Sequence, residues 1–134
     1  MSKVINRVAS AFEEKGLDYT KTGSSMEIIA HGNHMCDIHI VINQGYTGKG
    51  VSVGVYDIAT VAEGNQYKTA FVLNSLNNTF QFFKFYIDNN RKVNCCYDVS
   101  TEARNIGAIC VDTCQRIVAV VDYAYRKIVA VTQE

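Results

Sequence analysis

The sequence predicts one α+β domain: a five-stranded antiparallel sheet with helices on one side, in the order α-β-β-β-α-β-β-α. Two observations carry this. The apolar residues switch along the chain between a period of three to four and a period of two, and no proline interrupts the periodic stretches. A length of 134 residues, without linker, repeat or low-complexity segment, then argues for a single domain over 1–134.

The first helix is expected over 3–15, where Val4, Ile5, Val8 and Phe12 share a face and Gly16 suits a left-handed C-terminal cap. From residue 26 the period is two. Met26, Ile28 and Ala30 form one strand and Ile38, Ile40 and Ile42 another, joined by Gly32-Asn33-His34-Met35-Cys36 in a register that pairs Ala30 with Ile38. Gly45 to Gly50 reads as a turn, and Val51, Val53 and Val55 open a third strand. A helical period returns over 66–79, with Tyr67, Ala70, Phe71, Leu73 and Leu76 as its apolar residues. The last hairpin places Phe83, Phe85 and Ile87 on one face with Val93, Cys95, Tyr97 and Val99. That face is continuous only if 87 pairs with 93, which requires an odd loop and a left-handed residue at Asn90 or Arg91. Ser100 or Thr101 is expected to cap a final helix running to about residue 131.

The stretch Leu73-Asn74-Ser75-Leu76-Asn77-Asn78-Thr79-Phe80-Gln81-Phe82-Phe83-Lys84-Phe85-Tyr86-Ile87-Asp88 resembles the core signature of the YbjN-type bacterial family: a helix ending in Leu-Asn, an aromatic-rich strand and an acidic turn. Val93 to Asp98 and Val120 to Tyr125 resemble the second strand and the later segment of that family, and Arg91 departs where family members often carry a turn glycine. The resemblance implies a fold similar to that of type III secretion chaperones. It also implies a protein-binding role, since members are described as candidate sensory-transduction regulators, and it brings no catalytic residues with it.

Composition narrows the function classes. The formal net charge is zero, so no excess of Lys and Arg is present to displace counterions from nucleic acid. No segment approaches the ~20 apolar residues of a membrane span. Residues 1–7 lack the apolar run of a signal peptide, so a cytoplasmic location with five reduced cysteines is expected. Gly50-Val51-Ser52-Val53-Gly54 spells the nucleophile elbow of serine hydrolases, but alternation puts Ser52 inside a strand and all three histidines precede it. Gly45 to Gly50 lacks the Ser or Thr and the helix that a phosphate loop needs after its lysine. No enzyme activity and no cofactor are expected.

His31, His34, Cys36 and His39 lie within nine residues and offer an alternative reading, a small metal- or ligand-binding protein built on that hairpin. The favoured reading is an interaction domain, for two reasons. Outward positions on the sheet carry Ile29, Val41, Phe82 and Tyr86. The last helix carries a second apolar stripe (Val118, Tyr125 and Val129) beyond the one a sheet would bury. A helix of that span would reach roughly 45 Å, in a domain about 36 Å across. It is expected to overhang and to be covered in a homodimer, with an unknown protein as further partner.

Overall fold

The computed structural model describes residues 3–45 and 49–133. In chain order the elements are α1 (Lys3–Glu14), β1 (Thr20–Thr22), β2 (Ser25–Ala30), β3 (Ile38–Gln44), β4 (Gly50–Thr60), α2 (Gln66–Thr79), β5 (Lys84–Ile87), β6 (Lys92–Ser100) and α3 (Ile106–Thr132). The strands form one antiparallel sheet in the order β1-β2-β3-β4-β6-β5. It has six strands, not five. The extra one is the polar triplet Thr20-Lys21-Thr22, which pairs with Ser25–Glu27 and shows no hydrophobic alternation by which it could be read.

The predicted registers hold. Ala30 pairs with Ile38 and Ile28 with Ile40, while Ile87 pairs with Val93. The turn between β5 and β6 places Arg91 at φ 61°, with the Arg91 amide donating to the Asp88 carbonyl. Gly16 ends α1 at φ 68°. Its amide donates to Glu13 O and the Leu17 amide to Phe12 O, the paired bonds of a Schellman cap. The Gly45–Gly50 turn lies partly outside the described residues.

One sheet face is buried, with Ile38, Ile40, Ile42, Val51, Val53 and Val55 among its inaccessible side chains. Helix α3 covers that face, contacting β4 and β6. It does not begin where the sequence suggested. Strand β6 runs to Ser100, and the Thr101 amide ties to Lys49 O at 3.0 Å before the Ala103 amide closes a turn on Ser100 O, so neither predicted cap opens the helix. The helix starts after Asn105, without a side-chain capping bond.

The second stripe of α3 is covered in part from within, Val111 and Cys114 being buried and Val118, Tyr125 and Val129 half-buried. Helix α1 crosses α3 so closely that a Cβ on Gly107 would meet Ala11 Cβ at 2.7 Å, so only glycine allows the approach. The far end does not overhang free. The Ala62 amide donates to Thr132 O at 2.8 Å, Asn65 Nδ2 to the same carbonyl at 3.2 Å, and Thr69 Oγ1 to Val131 O at 3.3 Å. The segment entering α2, and α2 itself, thus hold the carboxyl-terminal turn of α3, while Val118, Tyr125 and Val129 stay half-buried.

Helix α2 buries Leu73 and Leu76, as expected, together with Thr69, but not Tyr67 and Phe71. Tyr67 and Phe71 are 91% and 77% exposed, because the helix lies beside β5 and the end of α3 and presents only a narrow stripe to them. From that stripe Asn77 reaches the outer edge of β5. Its Nδ2 donates to Phe85 O at 3.0 Å and its Oδ1 accepts from the Phe85 amide at 2.7 Å. One side chain thus stands in for a neighbouring strand at Phe85. Asn77→Ala is expected to cost about 1–3 kcal/mol in urea unfolding, since it strands two backbone groups of the edge strand. An unchanged unfolding midpoint would show that the edge has no need of it.

Candidate functional site

The other edge of the sheet is built differently. Strand β1 accompanies β2 only as far as Glu27, and residues 28–30 pair with β3 alone. The segment Gly16–Asp18 leads from α1 into β1 on the far side of a gap. Between them, floored by α3, lies a groove of about 340 Å³. Its wall on β2 is Ile28, Ile29 and Ala30; Phe12 and Leu17 close the opposite side, and Val111, Cys114 and Val118 come from α3. Asp18 and Gln115 are its polar members. An apolar groove beside an unpaired strand edge can offer an extended peptide backbone hydrogen bonds and a side-chain pocket together.

Immediately beyond Ala30 the β2–β3 connection is clamped to α3. Asp122 Oδ1 accepts the amides of His34 at 2.7 Å and Met35 at 2.9 Å. These bonds, Met35 first and His34 next, hold the Asp122 carboxyl below its ordinary value of 3.8. The clamp is therefore in force above that pH and is lost as the pH falls through the lowered value. A second carboxylate organises the opposite end of the sheet. Asp88 accepts from Asn94 Nδ2 at 2.8 Å and from the Asn90 and Lys92 amides, and these bonds, led by Asn94, lower its carboxyl pKa as well. Asn94, itself buried, also accepts the amide of Asp57, the left-handed residue (φ 58°) where β4 bulges against β6.

The residues singled out in the sequence are dispersed. Val41 and Tyr86 lie half-buried on the outer sheet face. Tyr56 helps to cover that face, its ring lying where a side chain on Gly54 would be, within 2.6 Å of an added Cβ. The second glycine of the hydrolase-like motif is thus a seat for a tyrosine. Ser52 is in β4, as expected, with its hydroxyl 3.4 Å from Tyr56 OH. Phe82 leaves the outer face: it takes φ 75°, breaks the alternation before β5 begins and turns toward Tyr97, with ring centroids 5.9 Å apart. Val118, Tyr125 and Val129 are half-buried on α3, and Val118 alone of them lines the groove.

His31 turns to Asp37 and to the Cys36 carbonyl, each at 3.2 Å. Among the described residues no three of the His, Cys, Asp and Glu side chains converge as metal ligands would. Cys36 is exposed, while Cys95, Cys96, Cys110 and Cys114 are buried. Burial pushes the thiols up, Cys110 to about 12 and Cys114 to about 11. Sequence reasoning missed the groove because β1 carries no strand signal, and because Phe12, Val111 and Cys114 read as ordinary core.

The geometry defines an α+β domain whose sheet is backed by helices on one face and left open at one edge. It is a YbjN-type, secretion-chaperone-like fold. The crystal structure of YbjN from E. coli, a candidate transcription regulator, superposes with a TM-score of 0.68 at 15% identity, covering 91% of each chain. A chain of the heterodimeric ExoU–SpcU complex, from the type III secretion system of Pseudomonas aeruginosa, superposes with a TM-score of 0.58 at 12% identity. That match covers 92% of this chain and 96% of the other. At these identities the likeness is one of fold. No protein-family model matches the sequence, and no curated protein matches it either. Among the described residues no helix is long and apolar enough to cross a membrane.

The thiol environments lead to a direct expectation. A thiol reagent such as dithionitrobenzoate at neutral pH should titrate one cysteine of the native chain quickly, Cys36, and the other four only after denaturant is added. Fast reaction of a second thiol would mean that the groove floor at Cys114, or one of the other three sites, opens to solvent.

Proposed function

We propose that this protein is a non-enzymatic, chaperone-like binding domain that captures an extended segment of another protein. The segment lies along the open edge of β2, residues 28–30, and seats an apolar side chain in the adjoining groove. The single observation that carries this reading is the coincidence of the two features: a strand edge paired on one side only, and an apolar pocket at its flank. The fold supports it, since one of the similar structures is a chain taken from a heterodimeric complex. Five free cysteines, four of them buried, suit a reducing, cytoplasmic setting.

Self-association belongs to the same reading. Tyr67, Phe71 and Phe82 expose large apolar surface, and a net charge of zero opposes pairing little. These side chains supply a homodimer contact beside the α3 stripe, whose Val118, Tyr125 and Val129 are half-buried. Light scattering at micromolar concentration should return twice the chain mass of 14.9 kDa, and Phe71→Ser should return the chain mass itself. A monomeric wild type would leave the exposed aromatics to another partner.

The groove is tested by selecting peptides from a phage-displayed random library on the full chain and measuring their affinity for wild type and Val118→Trp. The indole should fill the apolar end of the groove and weaken binding at least tenfold, about 1.4 kcal/mol. Equal affinity of the two proteins for every selected peptide would remove the groove from consideration.

A further inference from the structure

The β2–β3 connection is wrapped around a carboxylate supplied by a helix residue 88 positions away from His34 in sequence. Asp122 lies one turn beyond Val118 on α3, so the residue that grips the connection and the residue that lines the groove share a helix face. Gly32, the second residue after β2, leaves the carboxylate its space. A Cβ there would stand 2.3 Å from Asp122 Oδ1 and 2.7 Å from its Cγ. The Gly32 amide meanwhile closes the loop on Met35 O at 3.0 Å, which turns the amides of His34 and Met35 onto Asp122. A shallower depression of about 400 Å³ between this connection and α3 shares Gln115 and Val118 with the groove, so the clamp stands at the end of one continuous trough.

The geometry points to Asp122 as a positioning residue for the peptide edge, a role that rests on the binding reading above. Residues 28–30 are held by β3 on one side and by nothing equivalent on the other, so their alignment depends on what anchors the strand where it ends. Amide bonds to an ionised carboxylate are about twice as strong as neutral ones. Two of them, placed within five residues of Ala30, fix the direction in which the strand leaves the sheet. The groove keeps its width because the connection cannot swing away from α3.

Three variants of the full chain test this. Asp122→Ala removes the clamp from the helix side, Gly32→Ala crowds both the carboxylate and the Met35 carbonyl from the loop side, and Asp122→Asn keeps an acceptor without the charge. Hydrogen exchange without any peptide should accelerate at 33–35, and also at 28–30 and 38–40, at least tenfold in both alanine variants and less in Asp122→Asn. A peptide selected on the wild type should bind each alanine variant at least tenfold more weakly, Asp122→Asn should fall between, and the double variant should be no worse than either single one. Acceleration confined to 33–35, or undiminished peptide affinity in Asp122→Ala, overturns the positioning role. Should both alanine variants fail to fold, Asp122→Asn alone decides by the same two readouts. If peptides bind Val118→Trp as tightly as the wild type, the groove reading itself is lost, while the exchange at 28–30 still reports whether Asp122 aligns the strand.

Discussion

The structure depends on covering α3. This helix of 27 residues is apolar around most of its circumference, with buried side chains from Ile106 to Thr132. The sheet alone can bury one stripe of such a helix. The remainder has to be met by other elements, and each solves a different part. Helix α1 crosses the amino-terminal half at Gly107, where the absence of a side chain lets two backbones approach. The turn before α2 and its first residues bind the carboxyl-terminal carbonyls. Because α1 is committed to α3, the segment after it must return to the sheet edge from a distance. That return path leaves the gap between Leu17 and β2. The groove is therefore a consequence of how the long helix is covered.

The two edges of the sheet are managed in opposite ways. At β5 the backbone of Phe85 is satisfied by both ends of the Asn77 amide, which leaves no donor or acceptor there for another strand. At β2 the covering strand stops after three pairs, and the remaining edge faces an apolar wall. Strand β1 is polar, and the connection beyond the open edge is fastened by Asp122. An edge left open beside an apolar groove invites pairing with a chosen segment, whereas a long exposed edge would invite indiscriminate aggregation. The open portion is only three residues long, and that brevity limits the risk.

Much of this fold could be read from residue pattern. The helix over 66–79, the Ala30–Ile38 register, the pairing of Ile87 with Val93 and the left-handed Arg91 all follow from local periodicity and turn geometry. Where the pattern misled, a contact distant in sequence overrode it. Ser100 and Thr101 are good helix caps by type, yet Ser100 pairs with Gly50 in the sheet and Thr101 is tied to Lys49 O in the turn that follows. Tyr67 and Phe71 look like core residues on a helix, and they are exposed because α2 stands at an edge instead of lying on the sheet. Phe82 obeys the strand alternation in sequence and escapes it by a left-handed backbone.

The sequence by itself determined the fold class, the order of its main elements and the strand registers of both hairpins, because these rest on periods of two and three to four that neighbouring residues share. It also argued against a nucleophile elbow at Ser52 and a phosphate loop at Gly45 to Gly50, through strand alternation and residue order. The tertiary structure decided what no period encodes: that Thr20–Thr22 joins the sheet, that Asn77 stands in for a strand at Phe85, that α1 and α2 cover part of α3 and that a groove remains. Each of these depends on groups brought together from distant parts of the chain, Asn77 with Phe85 across a turn and Asp122 with His34 across 88 residues. A carboxylate on a helix and a glycine in a loop are ordinary residues in sequence. Only their approach to within bonding distance makes one the anchor and the other the space it needs.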